Sequence, residues 1–146
     1  MKRVKYTIAN WKMNGGKDSI KLVKLLARHI KKTGHIKSKV IICPPYTLLS
    51  DFIRLEKKMI YGAQDCHYQD KGAYTGSISA QMIKSIGCKY VIIGHSERRE
   101  YQKESSNELR LKIQAAVNNN MRVIYCIGEK LAEIKNRMQV LKKQIS

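Results

Sequence analysis

Five short apolar runs punctuate the chain: Val4 to Ala9, Val40 to Cys43, Met59 to Ala63, Tyr90 to Ile93 and Arg122 to Ile127. They are rich in Val, Ile and Tyr, and near-continuous apolar runs of this length suit parallel strands buried on both faces. Between them the period changes. Ile20, Val23, Ala27 and Ile30 recur at intervals of three and four, as do Leu131, Ile134, Met138, Leu141 and Ile145, which predicts helices with one apolar stripe. Ser105-Ser106-Asn107-Glu108 reads as a capping box, with Ser105 capping and Glu108 reaching back. It opens a helix carrying Leu109, Ile113 and Val117, and the polar run Asn118-Asn119-Asn120 closes it.

Strand then helix thus repeats five times in 146 residues. No Pro/Ser-rich linker divides the chain, so residues 1–146 read as a single domain. Such alternation implies an α/β fold with a parallel sheet and right-handed crossovers, either an open doubly wound sheet or a (β/α) barrel. No Gly-x-Gly-x-x-Gly follows any strand and no Walker-type loop is present, which weakens the nucleotide-binding version. A complete eight-unit barrel takes ~250 residues. Five parallel strands alternating with helices make a partial barrel.

Composition changes this picture little. Hydrophobic content of 43% and charged content of 27% suit a globular protein. No run approaches the ~20 apolar residues of a membrane-spanning helix. The basic start Met1-Lys2-Arg3 leads into a stretch too short and polar for a signal peptide, so no membrane association and a cytoplasmic location are expected. Cys43, Cys66, Cys88 and Cys126 form no Cys-x-x-Cys pair and show no zinc-ligand spacing with a histidine; they read as thiols of a reducing compartment, and no metal is expected. The net charge of +18 invites a nucleic-acid reading. However, 21 Lys against 8 Arg and 18 Ile against 10 Leu, with no basic tract, point to a general compositional bias and to no specific nucleic-acid partner. A positive field also speeds encounter with a small anion.

In a (β/α) barrel the chemistry sits at the C-terminal ends of the strands. Those ends carry Asn10 and Lys12, Pro44-Pro45, Gln64-Asp65, Gly94-His95-Ser96-Glu97-Arg98-Arg99 and Gly128-Glu129. A lysine and a histidine after separate strands can face one pocket, the first as a point charge for an anion, the second as a donor or acceptor for a carbonyl oxygen. His29, His35 and His67 match no such position and read as structural.

Asn10-Trp11-Lys12-Met13-Asn14-Gly15, Gly72-Ala73-Tyr74-Thr75-Gly76, Gly94-His95-Ser96-Glu97-Arg98-Arg99 and Cys126-Ile127-Gly128-Glu129 resemble the motifs of triosephosphate isomerases, in that family's order and spacing, from about Tyr6 to the C-terminus. The resemblance implies a partial barrel of the TIM type and a glycolytic, cofactor-free isomerase that interconverts glyceraldehyde 3-phosphate and dihydroxyacetone phosphate. By it, Asn10 positions the substrate and Lys12 holds its anionic end. His95 polarises the carbonyl and shuttles a proton; this family is the standing example of a neutral histidine electrophile at a helix N-terminus. Glu97 orients Lys12, and Thr75 reaches into the partner's site in a homodimer.

The family's base is a glutamate after the sixth strand, and its mobile lid and phosphate-binding loops follow. The resemblance places all three beyond the five units read here. A positioned base contributes ~10²–10⁴ in rate, so the expectation is an electrophilic half-site that is inactive alone. Glu129 matches the position after strand five and does not replace the base. The chain is then an incomplete piece of a complete enzyme, or one half of a split enzyme that works with a complementing C-terminal fragment, or a non-catalytic remnant with weak anion or protein binding. Five strands leave both outer strands as open edges.

Overall fold

The computed structural model describes residues 3–33 and 38–145. In chain order it has β1 Lys5–Asn10, α1 Ile20–Thr33, β2 Ser38–Cys43, α2 Tyr46–Leu55, β3 Ile60–Ala63, α3 Ala80–Ser85, β4 Tyr90–Ile93, α4 Ser96–Tyr101, α5 Ser106–Asn118, β5 Arg122–Tyr125 and α6 Arg137–Ile145. The strands pair in sequence order, all parallel, with Asn10 opposite Cys43, Ala63 opposite Val91 and Ile93 opposite Tyr125. This register carries every strand's C-terminal end to one end of the sheet. The five-stranded half-barrel agrees with the expectation.

Strand residues alternate between faces, and the two faces meet different neighbours. Ile42, Tyr61, Ala63, Val91 and Ile93 pack against helix residues including Val23, Leu48, Phe52, Ile83 and Leu109. Ile41, Cys43, Tyr90 and Ile92, with Ile60, Ile124 and Cys126 beside them, form a second cluster on the other face, without helical residues. Gly62 is required there: a Cβ at this position would lie 2.7 Å from Cys43 Sγ and 3.3 Å from Tyr90 Cβ.

Three expectations need correction. Burial on both faces holds for β4 and nearly for β3, but β1 is exposed along Lys5–Ala9 and no β5 residue is buried. These are the sheet's margins, where a strand has one neighbour. The continuous helix from Leu131 to Ile145 is instead a 3-10 turn over Leu131–Asn136 followed by α6, and neither buries a residue. Leu131 is 87% exposed, because nothing in the described residues lies beyond β5 for that stripe to cover. In α5 the inward positions are Leu109, Lys112, Ala115 and Ala116, while Val117 faces solvent. The buried face thus runs through Ala115 and Ala116 and leaves Val117 off it.

Local signals fared better. Ser105 caps α5, its hydroxyl accepting from the Glu108 amide at 3.2 Å. Past Asn118, Asn120 adopts φ +53°, and the Met121 amide donates to the Ala116 carbonyl, closing the helix with a left-handed residue. All four cysteines are free thiols. His29 is exposed, and His67 stacks on Tyr68 and meets Tyr74 at a tilt, both outside the site described below. His35 lies outside the described residues.

Candidate active site

Asn10 ends β1, and its side chain folds back so that Oδ1 accepts from the Lys12 amide at 2.9 Å. Trp11 donates its amide to the Cys43 carbonyl at 3.0 Å and packs edge-on against Phe52, which pins the strand end to α2. Lys12 is left at φ +54°, a left-handed conformation costly for a residue with a side chain. The Gln64 amide group secures it by donating to the Lys12 carbonyl at 2.9 Å and to the Cys43 carbonyl at 2.8 Å.

Beyond β4, Gly94 turns the chain at φ +75°. A Cβ there would lie 2.8 Å from the Arg99 guanidinium, which donates to the Gly94, Tyr125 and Cys126 oxygens and so ties the ends of β4 and β5. His95 then caps α4, its Nδ1 accepting from the Glu97 amide at 3.3 Å. A ring nitrogen that accepts from an amide does so through its lone pair, which leaves Nε2 as the ring's N–H donor. Glu97 Oε2 lies 3.4 Å from the same nitrogen.

Glu97 is the link between the two motifs. Its Oε1 pairs with Lys12 Nζ at 2.7 Å, and that hydrogen bond holds the Glu97 carboxyl below its ordinary range. Asn10, Lys12, Gln64, His95 and Glu97 line one cavity of about 370 Å³, and His95 also borders a second of about 400 Å³ against Gly128 and Glu129. The arrangement offers an anion a lysine charge and offers a carbonyl oxygen a ring N–H. Thr75 is elsewhere, exposed on the loop between β3 and α3, and does not line the first cavity.

Four charged residues underneath were not assigned from the sequence. Lys112 Nζ reaches Asp65 Oδ1 and Oδ2 at 3.0 and 2.9 Å and Glu104 Oε1 at 2.6 Å. Arg98 reaches Asp65 at 2.8 Å and Glu104 at 2.7 Å. Burial pushes the Asp65 carboxyl above its ordinary range against the pull of Lys112 and Arg98. Burial also works against the Lys112 ammonium, but Asp65 and Glu104 outweigh it and keep the group charged. The available signal was a lysine three residues past Leu109, on the face α5 turns inward.

The family model of triosephosphate isomerase matches residues 5–146. This chain belongs to the triosephosphate isomerase family. The triosephosphate isomerase of Wolbachia sp. subsp. Brugia malayi (strain TRS) is 44% identical over 126 residues, covering 86% of this chain and 52% of that protein. That of Alkaliphilus oremlandii (strain OhILAs) is 40% identical over 144 residues, with 93% and 56% covered. The crystal structure of triosephosphate isomerase from Bartonella henselae matches with a TM-score of 0.90 at 39% identity, over 97% of this chain and 60% of that one. The chain spans about half the length of the curated relatives it matches. No helix among the described residues is long and apolar enough to cross a membrane.

Proposed function

We propose that this chain supplies the electrophilic half of a triosephosphate isomerase site, acting on phosphorylated trioses in the cytoplasm. The observation that carries this reading is Glu97, which joins Lys12 and His95 at one end of the sheet. Lys12 binds the substrate's anionic end, Asn10 positions it, and Glu97 keeps the lysine oriented. His95, neutral and protonated on Nε2, donates to the carbonyl oxygen and passes a proton between the two oxygens of the enediol. No glutamate at the family's base position follows a strand here. The remaining strand–helix units of the eight-stranded barrel, in the same protein or on a complementing polypeptide, supply that base and pack on the margins β1 and β5 and on the face of Ile41 and Tyr90. In a homodimer, Thr75 extends toward the partner's site.

A coupled assay of triose phosphate interconversion tests this, first on the chain alone and then with the complementing polypeptide. The chain alone is expected at the buffer blank and the mixture above it, with His95→Ala lowering kcat and Lys12→Ala weakening substrate binding. Turnover by the chain alone, abolished by His95→Ala, would overturn the half-site reading. A mixture that docks but stays inactive would leave a binding remnant instead.

A further inference from the structure

We infer that Lys112, on α5, is a positioning residue for Lys12, acting through Asp65 and Arg98. The inference takes its catalytic meaning from the isomerase reading, but its geometry stands apart from it. Lys112 is 3% exposed, and its ammonium donates to two carboxylates, Asp65 and Glu104. Asp65 follows Gln64, whose amide group holds the Lys12 backbone in its left-handed conformation. Arg98 follows Glu97, whose carboxylate holds the Lys12 ammonium. The quartet, with Asp65, Glu104 and Lys112 buried and Arg98 at its edge, therefore fixes the residue next to each of the two side chains that grip Lys12, one gripping the backbone and the other the charge.

The charge balance explains why Lys112 matters to this geometry. With Lys112, two cations face two carboxylates. Without it, Asp65 and Glu104 lose the Nζ donor they share and are left as two carboxylates against the single charge of Arg98, an unbalanced cluster that relaxes by moving. Glu104 Oε2 is already buried with no hydrogen-bond partner among the described residues, so the cluster is short of donors before Lys112 is removed. Lys103, just before Glu104, sits at φ +56°, a second strained residue at the quartet's edge. Movement of Arg98 carries Glu97 with it, and movement of Asp65 carries Gln64.

The test needs no substrate. The Glu97 carboxyl is followed by ¹³C NMR across pH in the full chain, assigned with Glu97→Gln, because its titration reports whether Lys12 Nζ is in place. Lys112→Met combined with Asp65→Asn keeps the charge balanced, one cation against one carboxylate. In that variant the Glu97 midpoint is expected to move up toward an ordinary glutamate, and Lys112→Arg is expected to hold it down. Should the double variant fail to fold, Asp65→Ala asks the same question and is expected to move the midpoint in the same direction. A folded variant whose Glu97 titrates as in the unsubstituted chain would overturn the inference and leave Lys112 a stabilising residue only. Loss of turnover in the reconstituted pair with an unmoved Glu97 would likewise count against it, whereas a moved Glu97 in an inactive pair would count against the isomerase reading alone.

Discussion

At the centre of the sheet, β3 and β4 bury every residue but Ile60; at its margins, β1 buries none and leaves Tyr6 and Ile8 44% and 38% exposed. Residue type accounts for part of this, since β1 carries Lys5, Thr7 and Asn10. Tyr and Ile nevertheless occur in both regions and stay exposed in β1, so apolar character alone did not decide which strand became core. The number of neighbours did. β3 has a strand on each side and helices on one face, whereas β1 has a single strand partner. The candidate site spans the contrast: Asn10 and Lys12 come from the margin and His95 from the centre. The backbone of Lys12 accordingly depends on side chains from elsewhere, Asn10 and Gln64, for its conformation.

Truncation at the centre should cost most. Phe52, buried between α1, β2 and β3 in the helix-side core, is expected to lose about 3–5 kcal/mol on Phe52→Ala, read from urea unfolding. Leu131→Ala at the margin is expected to fall within about 0.5 kcal/mol, since the side chain is already in water. Equal losses would break the comparison.

Glycine replacement sharpens it. Gly62→Ala forces a methyl into Cys43 Sγ and is expected to cost about 1–3 kcal/mol by overpacking. Gly128→Ala past β5 meets nothing within 4 Å and should leave the melting temperature unchanged. A harmless Gly62→Ala would mean that the face of Ile41 and Tyr90 is not packed.

The thiols divide the same way. Burial pushes Cys43 and Cys66 up to about 12 and Cys88 to about 11, while Cys126, at the β5 margin, is half-buried. A rise of that size leaves Cys43 with roughly a thousandth of the usual thiolate, so Cys126 should react first with a thiol reagent in the native chain and all four only in denaturant. Peptide mapping in which a central cysteine labels first would contradict the burial.

The smallest effect concerns pH at the site. The Lys12 hydrogen bond depresses the Glu97 carboxyl below its usual value near 4.5. Its contribution to stability is therefore whole above about 4.5 and fades as pH falls through the lower folded value. Melting curves of the unsubstituted chain and Lys12→Met should differ slightly at neutral pH and converge in acid. The gap is small because both side chains are substantially exposed. A gap that widened in acid would reverse the sign.

Much of the fold was legible along the chain. Residue period carries strand and helix type, so the five strands, the cap at Ser105 and the bounds of β4 followed from neighbours within a few positions. The strand ends that hold Asn10, Lys12, His95 and Glu97 followed too, because a parallel sheet gathers all its C-terminal ends on one side. Other features depended on contacts between distant segments. Lys112 meets Asp65 across 47 positions, and no local pattern records that a lysine on a helix will be buried against two carboxylates. The face of α5, the exposure of β1 and the broken helix before α6 were decided similarly, by what packs alongside. Period fixes which side of an element is apolar; only the assembled neighbours determine whether that side is covered.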